Sequence, residues 1–358
     1  MTNVEESDKN LAEYKEESRR KMASIQRVTS VEPIEGADRI EKIRVLGWQL
    51  VAQKNEFEPG DLCLYCEIDS VLPDHPAFEN FRERKFRIKT IRLKGVISQG
   101  LAFPLDHPYI VEKIGNCKVS EGEDLSEMLG IVKHEVPLPV TMRGKVAGRF
   151  PAHLVPVTDE LRVQSYVNVL DEFAGRDVYV TTKMDGTSFT AYYDGAKFGV
   201  CSRNMEMRPD DESIYTRIAR KYDLERILKA IGETEGRNLA VQGEICGPGV
   251  RGNPIGLAQP ELFVFNVFDI GAQRYLDFAD AFRLMEERKL PTVPVDATGV
   301  RFGWTLDQLL EMAKGRYGSG RHREGIVIRP VKEDHSNVLA GRLSIKVINN
   351  DYLLSGGN

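Results

Sequence analysis

The chain has 358 residues, ordinary charged and aromatic fractions and a formal net charge of −5 at neutral pH. This length suggests two domains, and the composition is that of a globular protein. No apolar run approaches the roughly 18 residues of a membrane span, and the N-terminus lacks the apolar core of a secretory signal. We therefore expect an intracellular, soluble protein without a membrane partner, and any nucleic-acid surface must be a local basic patch.

The first third of the chain reads as a tail followed by short strands. Residues 1–22 are charged and lack a clear apolar face, which predicts a charged tail. Glycine and proline turns such as Glu58-Pro59-Gly60-Asp61 then separate short apolar runs. These runs predict strands at 24–28, 39–45, 48–53, 61–68 and 102–105. Short strands with such turns favour a small barrel, so we predict an OB-like nucleic-acid-binding domain over residues 23–130.

A basic segment lies inside this predicted barrel. Residues 82–94 contain seven basic residues and one acidic residue. Their alternation with apolar residues predicts a strand that exposes basic side chains on one face, namely those of Arg84, Arg87, Lys89, Arg92 and Lys94. Two interpretations stay open. The face binds the phosphate backbone of a nucleic acid, which the single sign of charge favours, or it is a solvated edge strand that basic residues keep soluble.

The remainder of the chain predicts a connector and a larger second domain. Residues 131–157 are rich in extended proline segments and predict a connector. From 158 to 358, apolar periodicity predicts helices at 215–231, 278–288 and 306–314. It predicts strands at 178–182, 187–193, 196–202, 238–245, 261–268, 325–329 and 343–348. Strands outnumber helices, so the fold class is α+β, with antiparallel sheets flanked by helices.

The most informative stretch is Lys183-Met184-Asp185-Gly186, which lies between two of these strands. A lysine at the end of a strand, followed by an acid and a glycine, is a plausible nucleophile. Lysine attacks phosphorus only as the neutral amine, so its pKa must be lowered by burial or by nearby cations. The tetrapeptide alone is a weak signal, because chance produces it in roughly a few per cent of chains of this length.

Further motifs follow this lysine in a fixed order. They are Ser202-Arg203-Asn204, Gln242-Gly243-Glu244, the strand from Phe263 to Asp269, Glu324-Gly325-Ile326-Val327 and Ser344-Ile345-Lys346. The ordered series resembles the covalent nucleotidyltransferases, the superfamily of ATP-dependent ligases and RNA capping enzymes. The resemblance covers residues 158–349, over half of the chain. It implies that residues 158–358 form an adenylyltransferase domain.

The chemistry of these residue types is consistent with that resemblance. If Lys183 attacks an α-phosphate and pyrophosphate leaves, the reaction needs positioning and positive charge, which Arg203 and Lys346 can supply. Carboxylates that point into one pocket repel each other unless a divalent cation joins them, and Mg²⁺ or Mn²⁺ is expected. The predicted metal residues are Asp185, Glu244 and Glu324.

The resemblance adds roles for individual residues. It implies that Lys183 carries the adenylate, that Thr182 before it helps to read adenine, and that Asp185 and Gly186 complete the nucleotide site. Glu244 also belongs to the implied ATP site. The segment from Thr158 to Gln164 is similar to the TDExRxQ segment of certain RNA ligases, which implies that Arg162 and Gln164 bind the nucleotide.

Two details qualify this set of residues. Phe265 is the predicted platform for the purine ring, with Phe263 on the same strand face as an alternative and core packing as the other interpretation of both. Several RNA ligases have Lys-x-Lys in the last motif, where this chain has Ser344-Ile345-Lys346. The first phosphate contact of that motif is therefore missing, while the second, Lys346, is present.

The order of the domains points to one branch of the superfamily. Only twelve residues follow Lys346, whereas DNA ligases and capping enzymes place an OB domain there. An OB-like module in front resembles the fifth RNA ligase family. That implies ATP-dependent sealing of a 3′-hydroxyl to a 5′-phosphate in nicked or broken duplex RNA. We expect a monomer, and a catalytic pocket that lies wholly in the second domain. The alternatives are a capping guanylyltransferase, a DNA ligase, or a non-catalytic OB-type RNA-binding protein.

Overall fold

The structure is a computed structural model that describes residues 20–115, 117–134 and 145–357. Most of the predicted tail, residues 1–19, and the middle of the predicted connector, residues 135–144, lie outside the described residues. We call residues 20–134 the N-terminal region and residues 145–357 the C-terminal region. None of the helices in the described ranges is long and apolar enough to cross a membrane.

The N-terminal region contains one five-stranded antiparallel sheet and two small two-stranded sheets. Its strands are β1 (Ala23–Pro33), β2 (Ile40–Val45), β3 (Trp48–Gln53), β4 (Leu62–Cys66), β5 (Ser70–Val71), β6 (Ile91–Leu93), β7 (Val96–Ser98), β8 (Leu101–Pro104) and β9 (Val132–Lys133). The main sheet has the order β3-β2-β1-β4-β8. The amide of Gln99 donates to the carbonyl of Gln49 at 2.8 Å, so the sheet curls until β3 meets the turn before β8. A helix, Pro108–Ile114, packs beside it, and Trp48 is fully buried in the core.

The basic segment does not form the predicted strand. Pro76–Arg84 is a 3₁₀ helix anchored by buried Phe78, and Lys85 and Phe86 then adopt left-handed φ values of 52° and 57°. Only Ile91–Leu93 is a strand, paired as a hairpin with β7. The left-handed pair changes the phase of the alternation and turns Arg87 inward. The prediction of one continuous basic strand is wrong, and exposure remains for Arg84, Lys89, Arg92 and Lys94.

The C-terminal region contains two larger sheets. Its strands are β10 (Val146–Arg149), β11 (Leu161–Arg162), β12 (Asp177–Lys183), β13 (Thr187–Tyr193), β14 (Phe198–Cys201), β15 (Met205–Met207), β16 (Leu239–Cys246), β17 (Glu261–Asp269), β18 (Arg274–Tyr275), β19 (Val295–Arg301), β20 (Gly325–Pro330), β21 (His335–Ser336), β22 (Gly341–Arg342) and β23 (Ile345–Ile348). One sheet has the order β10-β15-β14-β13-β16-β17-β18 and the other β11-β23-β20-β12-β19. Their ladders are antiparallel except between β11 and β23.

Helices flank these sheets. They are Val169–Phe173, Ile214–Lys221, Leu224–Glu235, Phe278–Glu287, Leu306–Met312 and Asn350–Leu354, with a 3₁₀ turn at Val163–Ser165. The predicted helix at 215–231 is two helices, because Asp223 takes a left-handed φ of 53° between them. The predicted helix at 306–314 begins at a capping box formed by Thr305 and Gln308. The edge strand β19 was not predicted from the sequence, because its side chains are mostly exposed and do not alternate between apolar and polar residues.

The two sheets converge where the strands that carry the sequence motifs end. Lys183 at the end of β12 pairs with Gly325 at the start of β20, and Arg162 pairs with Lys346 across the β11–β23 ladder. On the other sheet, Glu244 in β16 pairs with Ser188 in β13. A small apolar cluster of Met184, Cys246 and Val293, with Phe263 and Phe265 against it, fills the space between the sheets.

Candidate active site

Two glycines allow the motif strands to approach closely. A β-carbon on Gly186 would lie 2.2 Å from the carbonyl oxygen of Ile245, and one on Gly325 would lie 2.1 Å from that of Val347. Gly325 also has a φ of +153°, which L side chains rarely adopt. Any side chain at these positions would therefore push the strands apart. The glycines fix the positions of Asp185 and Glu324, the residues that precede them.

Lys183 forms a buried ion pair at the centre of the site. Its Nζ atom lies 2.9 Å from Oε1 of Glu324, and both side chains are largely shielded from solvent. Tyr317 Oη donates to the carbonyl of Lys183 at 2.8 Å and accepts the amide hydrogen of Glu324 at 3.1 Å. Burial lowers the pKa of Lys183, but Glu324 and Glu244 outweigh it and hold that pKa above its usual value. The expected lowering is thus not produced by the protein groups alone.

The predicted metal residues lie near each other and influence each other's charge. Burial raises the pKa of Glu244 to about 8, with Glu324 and Asp185 acting in the same direction and Lys183 opposing them. Burial, followed by the charge of Glu324, also raises the pKa of Asp185. Asp185 accepts a hydrogen bond from Tyr352 Oη at 2.8 Å. The site therefore holds more carboxylate than nearby protein cations can neutralise.

This donor set fits a hydrated divalent ion better than a directly enclosed one. Within the described ranges, no three His, Cys, Asp or Glu side chains lie close enough to hold a metal ion directly. Mg²⁺ keeps several waters and touches few carboxylates, and it prefers hard oxygen donors such as these. The assignment of Asp185, Glu244 and Glu324 to a metal therefore remains a prediction, in which water bridges at least part of the contact.

Arg203 and Lys346, the predicted phosphate residues, meet at one carboxylate. Arg203 Nη2 lies 2.6 Å from Asp159 Oδ2 and Lys346 Nζ lies 3.1 Å from Asp159 Oδ1. Lys133 of the N-terminal region reaches the same carboxylate at 4.0 Å. Burial lowers the pKa of Lys346, the charge of Asp159 opposes this, and the charges of Lys183 and Arg162 add to the lowering. Three cations thus surround one carboxylate, an arrangement suited to phosphate.

Arg162 and Gln164 are buried and partly without hydrogen-bond partners. Arg162 Nη2 donates to Asp69 Oδ2 at 3.1 Å, but none of the described residues accepts from its Nε or Nη1. The same holds for both amide atoms of Gln164, which is almost fully buried. Buried polar atoms are normally satisfied, so these atoms fit a bound polar ligand such as a nucleotide.

Asp69 belongs to the N-terminal region, which corrects one expectation. Its Oδ1 atom lies 2.8 Å from Arg87 Nη2, and Arg20 Nη1 lies 3.5 Å from the Oδ2 atom that Arg162 also contacts. Arg87 is therefore a buried partner of Asp69 instead of an exposed nucleic-acid contact. The N-terminal region also contacts Arg162, a residue predicted to bind the nucleotide, through Asp69. The expectation of a catalytic pocket wholly within the second domain therefore stays a prediction, and this contact argues against it.

Thr182 and the aromatic pair line the inner part of the site. Thr182 Oγ1 donates to Asp296 at 2.9 Å, and Arg323 pairs with the other oxygen of Asp296 at 2.7 Å. Phe263 and Phe265 both face the cluster between the sheets, as their predicted shared face requires. Phe265 also lies under the guanidinium of buried Arg329, 5.8 Å from the ring centre. The choice of Phe265 as the purine platform stays a prediction.

Sequence analysis missed several supporting residues. Asp159 contacts the cations that are predicted to bind phosphate, and Asp296 accepts a hydrogen bond from Thr182. Tyr317 donates to the carbonyl of Lys183, and Tyr352 donates to Asp185. Arg329 forms an ion pair with Glu160. Asp159 and Glu160 carried a signal, because both lie inside the segment from Thr158 to Gln164. The others stand outside any recognisable motif, and only the fold brings them to the site.

Comparison with known proteins supports this assembly. A family model described as an OB-fold domain matches residues 22–105, and a model of the RNA ligase family matches residues 176–348. Solved structures of an RNA ligase from Naegleria gruberi are similar over most of the chain. A mutant with AMP and Mn has 32% identity and a TM-score of 0.82, and the match covers 93% of this chain and 98% of that one.

Further structures of the same Naegleria ligase match equally well. A mutant with ATP and Mn has 32% identity and a TM-score of 0.82, with 93% and 98% coverage. The ligase with PPi has the same identity and TM-score, with 94% and 98% coverage. Comparison with the curated proteins gave no significant match. The predicted fold class, an OB-like domain followed by antiparallel sheets with flanking helices, is confirmed.

Proposed function

The chain belongs to the RNA ligase family, and from this premise we propose that it joins a 3′-hydroxyl to a 5′-phosphate in RNA at the expense of ATP. The observation that carries the proposal is the buried pair of Lys183 Nζ and Glu324 at 2.9 Å. Arg162 and Gln164, whose buried polar atoms lack partners among the described residues, and Lys346 support it. Together these residues form a nucleophile within a site suited to a nucleoside triphosphate.

The first step transfers AMP to the enzyme. Lys183 Nζ forms a bond to the α-phosphorus of ATP while the bond to the bridging oxygen breaks and pyrophosphate leaves. The ammonium must first lose a proton, and Glu324 Oε1 lies within hydrogen-bonding distance to accept it. Arg203 and Lys346 would exchange their contacts with Asp159 for phosphate oxygens, which stabilises the charge on the transferred group.

A divalent cation completes the charge balance of this site. Asp185, Glu244 and Glu324 would hold it, partly through water, and it would neutralise negative charge on the phosphates. Bound nucleotide and cation would also offset the carboxylates that hold the pKa of Lys183 high. The excess of buried carboxylate, reflected in the pKa of about 8 for Glu244, is the feature that would accommodate the ion.

The later steps act on the broken RNA. A 5′-phosphate oxygen attacks the lysyl-AMP phosphorus, which releases Lys183 and leaves an adenylated 5′ end. The 3′-hydroxyl then attacks that 5′-phosphorus and AMP leaves. We propose nicked duplex RNA as the substrate, because the duplex holds both ends next to each other and reduces the entropic cost of the last step. Because the chain supplies every motif of the site, a monomer is the proposed active form.

The exposed basic residues of the N-terminal region are proposed to contact the RNA backbone. Arg84, Lys89, Arg92 and Lys94 are exposed on or beside the β6–β7 hairpin. Arg92 donates only to the carbonyl of Gly95 among the described hydrogen bonds, so most of its donors face solvent. Reversal of Lys89 and Arg92 to glutamate should weaken duplex RNA binding and lower its salt slope by about one per lost phosphate contact. Unchanged binding would leave these residues a solvated edge.

One experiment tests the proposed function against its alternatives. The protein is incubated with labelled ATP or GTP and Mn²⁺, and a covalent adduct that survives denaturation but is released by acid, as a lysyl phosphoramidate is, is sought and mapped. We expect an AMP adduct on Lys183 and sealing of nicked duplex RNA. A GMP adduct would indicate a capping-type enzyme, and sealing of DNA strands alone would indicate a DNA ligase. RNA binding with no adduct would indicate a non-catalytic module and overturn the proposal.

A further inference from the structure

A cleft of about 570 Å³ opens beside the candidate active site, with Asp185 and Tyr352 in its lining. Two loops bring Arg251, Arg316 and Arg321 to it. We call this cavity the arginine cleft, after these three residues. We propose that the arginine cleft binds backbone phosphates of the RNA strand next to the break. This inference rests on the proposed function and extends it, because it identifies a second RNA-binding surface in the C-terminal region.

The three arginines keep their charges available. Within the described part of the chain, none of them forms an ion pair with an acidic side chain. Arg316 donates to the carbonyl of Gly320 at 2.6 Å, and Arg321 donates to that of Gly252 at 3.2 Å. A guanidinium has five N–H donors in a rigid fork, so donors remain for phosphate oxygens after such backbone bonds.

A neighbouring arginine outside the cleft, by contrast, is paired within the protein. Arg323, two residues beyond Arg321, pairs with Asp296 at 2.7 Å and also donates to the carbonyl of Met312. Its charge is thus used inside the protein. The acid in the lining of the cleft is Asp185, which is mostly buried and hydrogen-bonded to Tyr352. A polyanion would therefore meet a surface with a net positive charge.

The loops that carry the arginines are joined into one wall. The amide of Tyr317 donates to the carbonyl of Arg321 at 2.9 Å, which closes the second loop as a hairpin. Ser319 Oγ donates to the carbonyl of Pro254 at 2.5 Å. This bond links the second loop, which carries Ser319, to the first loop, which carries Arg251 and Pro254. Both loops are therefore positioned before any ligand binds, which lowers the entropic cost of binding.

The same wall is attached to the nucleophile. Tyr317, at the base of the second loop, donates from its hydroxyl to the carbonyl of Lys183 at 2.8 Å. A phosphate held by the arginine cleft is thereby fixed relative to Lys183 and Glu324. Positioning of this kind is what the transfer of AMP to a 5′ end and the final joining step require.

Phosphate could come from RNA or from ATP, and the geometry favours RNA. The residues proposed for the ATP phosphates are Arg162, Arg203 and Lys346, and none of them lines the cleft. Arg162 and Lys346 lie on the parallel pair β11 and β23, whereas the cleft lies beyond Asp185, and its three arginines are exposed. A group of exposed cations in one cleft fits an RNA strand that continues past the site.

The test uses the full chain with Arg251, Arg316 and Arg321 all changed to glutamine. The matched control is Arg217→Gln, an exposed arginine on the helix Ile214–Lys221 that forms no ion pair within the described residues. Binding to nicked duplex RNA is measured over a range of salt, and adduct formation and sealing are timed. We expect the triple variant to lose up to about three units of salt slope, one per phosphate contact. The ratio of sealing rate to adduct-formation rate should fall, while the control keeps both values.

A double variant guards against an indirect effect. The charge of Arg251 opposes the rise in the pKa of Asp185. The double variant, Arg316→Gln with Arg321→Gln, keeps Arg251 and therefore leaves this effect on Asp185 unchanged. The double variant should lose about two units of slope. A raised ATP requirement with unchanged RNA binding would assign the cleft to ATP phosphates and overturn the proposal, as would unchanged RNA binding and sealing. Failure of the wild type to form any adduct would instead refute the proposed function, and the binding measurement would still test the cleft.

Discussion

Two buried clusters of charge flank the proposed nucleotide site, and they are unbalanced in opposite directions. Around Lys183, the carboxylates of Glu324, Glu244 and Asp185 outnumber the lysine, and the pKa of Glu244 is raised to about 8. Around Asp69, three arginines from different parts of the chain converge, namely Arg20, Arg87 and Arg162. Buried Glu67 also pairs with Arg20, so three cations face two carboxylates. Burial would raise the pKa of Asp69, but these arginines lower it to about 2.

The difference indicates what each cluster can receive. The cluster around Lys183 lacks positive charge, so a divalent cation would relieve the repulsion among its carboxylates. The cluster around Asp69 has arginine donors left over, with Nε and Nη1 of Arg162 unsatisfied by the described residues. An anion would satisfy those donors. A metal–ATP complex carries both charges, so the two clusters are complementary to the two parts of one ligand.

The largest effect is expected when the acidic cluster loses its nucleophile. Lys183→Ala should reduce adduct formation and sealing of 5′-phosphate ends by at least about a thousandfold, as removal of a covalent nucleophile does. Sealing of a pre-adenylated nick should survive in part, because that step needs no lysyl adduct. Lys229→Ala, at an exposed lysine paired with Glu225, is the control. Transfer of label from ATP to the Lys183→Ala protein would refute the assignment.

The acidic cluster could be predicted from the sequence because each of its members lies at a strand end within a short motif. Lys183 and Asp185 follow one strand, Glu244 lies in another, and Glu324 precedes a third. Their glycines mark places where backbones approach within van der Waals distance. A local pattern and a local constraint coincide at each of these positions. The same reasoning recovered the helix at Thr305, where the capping residues lie three positions apart.

The arginine cluster could not be predicted because its contacts are long-range. Asp69 and Arg162 lie 93 residues apart in the chain, and Thr182 and Asp296 lie 114 residues apart. No spacing rule connects such pairs before the fold is known. Arg87 was misplaced for a related reason. Alternation of basic and apolar residues suggested a strand, but a 3₁₀ helix anchored by Phe78 and two left-handed residues reset the phase.

The proposed metal site is tested by Glu244→Gln, which removes one carboxylate from the acidic cluster and keeps the shape of the side chain. We expect the Mn²⁺ concentration for half-maximal adduct formation to rise about 10- to 100-fold, the range found when support for a metal site is removed. Glu225→Gln, at an exposed helical glutamate, is the control. An unchanged Mn²⁺ requirement would show that Glu244 does not help to bind the ion, and the acidic cluster would no longer be assigned as the metal site.

The anion side is tested by Asp69→Asn. Arg162 should lose its fixed orientation, so the ATP concentration for half-maximal adduct formation should rise about tenfold, equivalent to about 1.4 kcal/mol. The maximal rate should change less, because Asp69 does not touch the reacting atoms. Sealing of a pre-adenylated nick, which needs no ATP, should be spared. Asp74→Asn, at an exposed carboxylate paired with Arg82, is the control. Equal ATP dependence of variant and wild type would show that Asp69, and through it the N-terminal region, does not support ATP binding.

The last effect is a pH dependence of stability that belongs to the arginine cluster and does not involve catalysis. The pKa of Asp69 is lowered in the folded protein to about 2, from an unfolded value near 3.9. The folded state therefore binds its proton less readily, and the stabilisation is complete above about pH 4 and disappears as the pH falls towards 2. At full strength it is worth about 2 kcal/mol, since Asp69 is four-fifths shielded from solvent. Denaturant unfolding of the wild type and Asp69→Asn should show a stability gap that is constant from about pH 7 to 5 and narrows below about pH 4. A gap that stays constant down to the lowest pH at which both proteins fold would mean that the arginines do not hold Asp69 in its charged form, and the contrast between the two clusters would then rest on the acidic one alone.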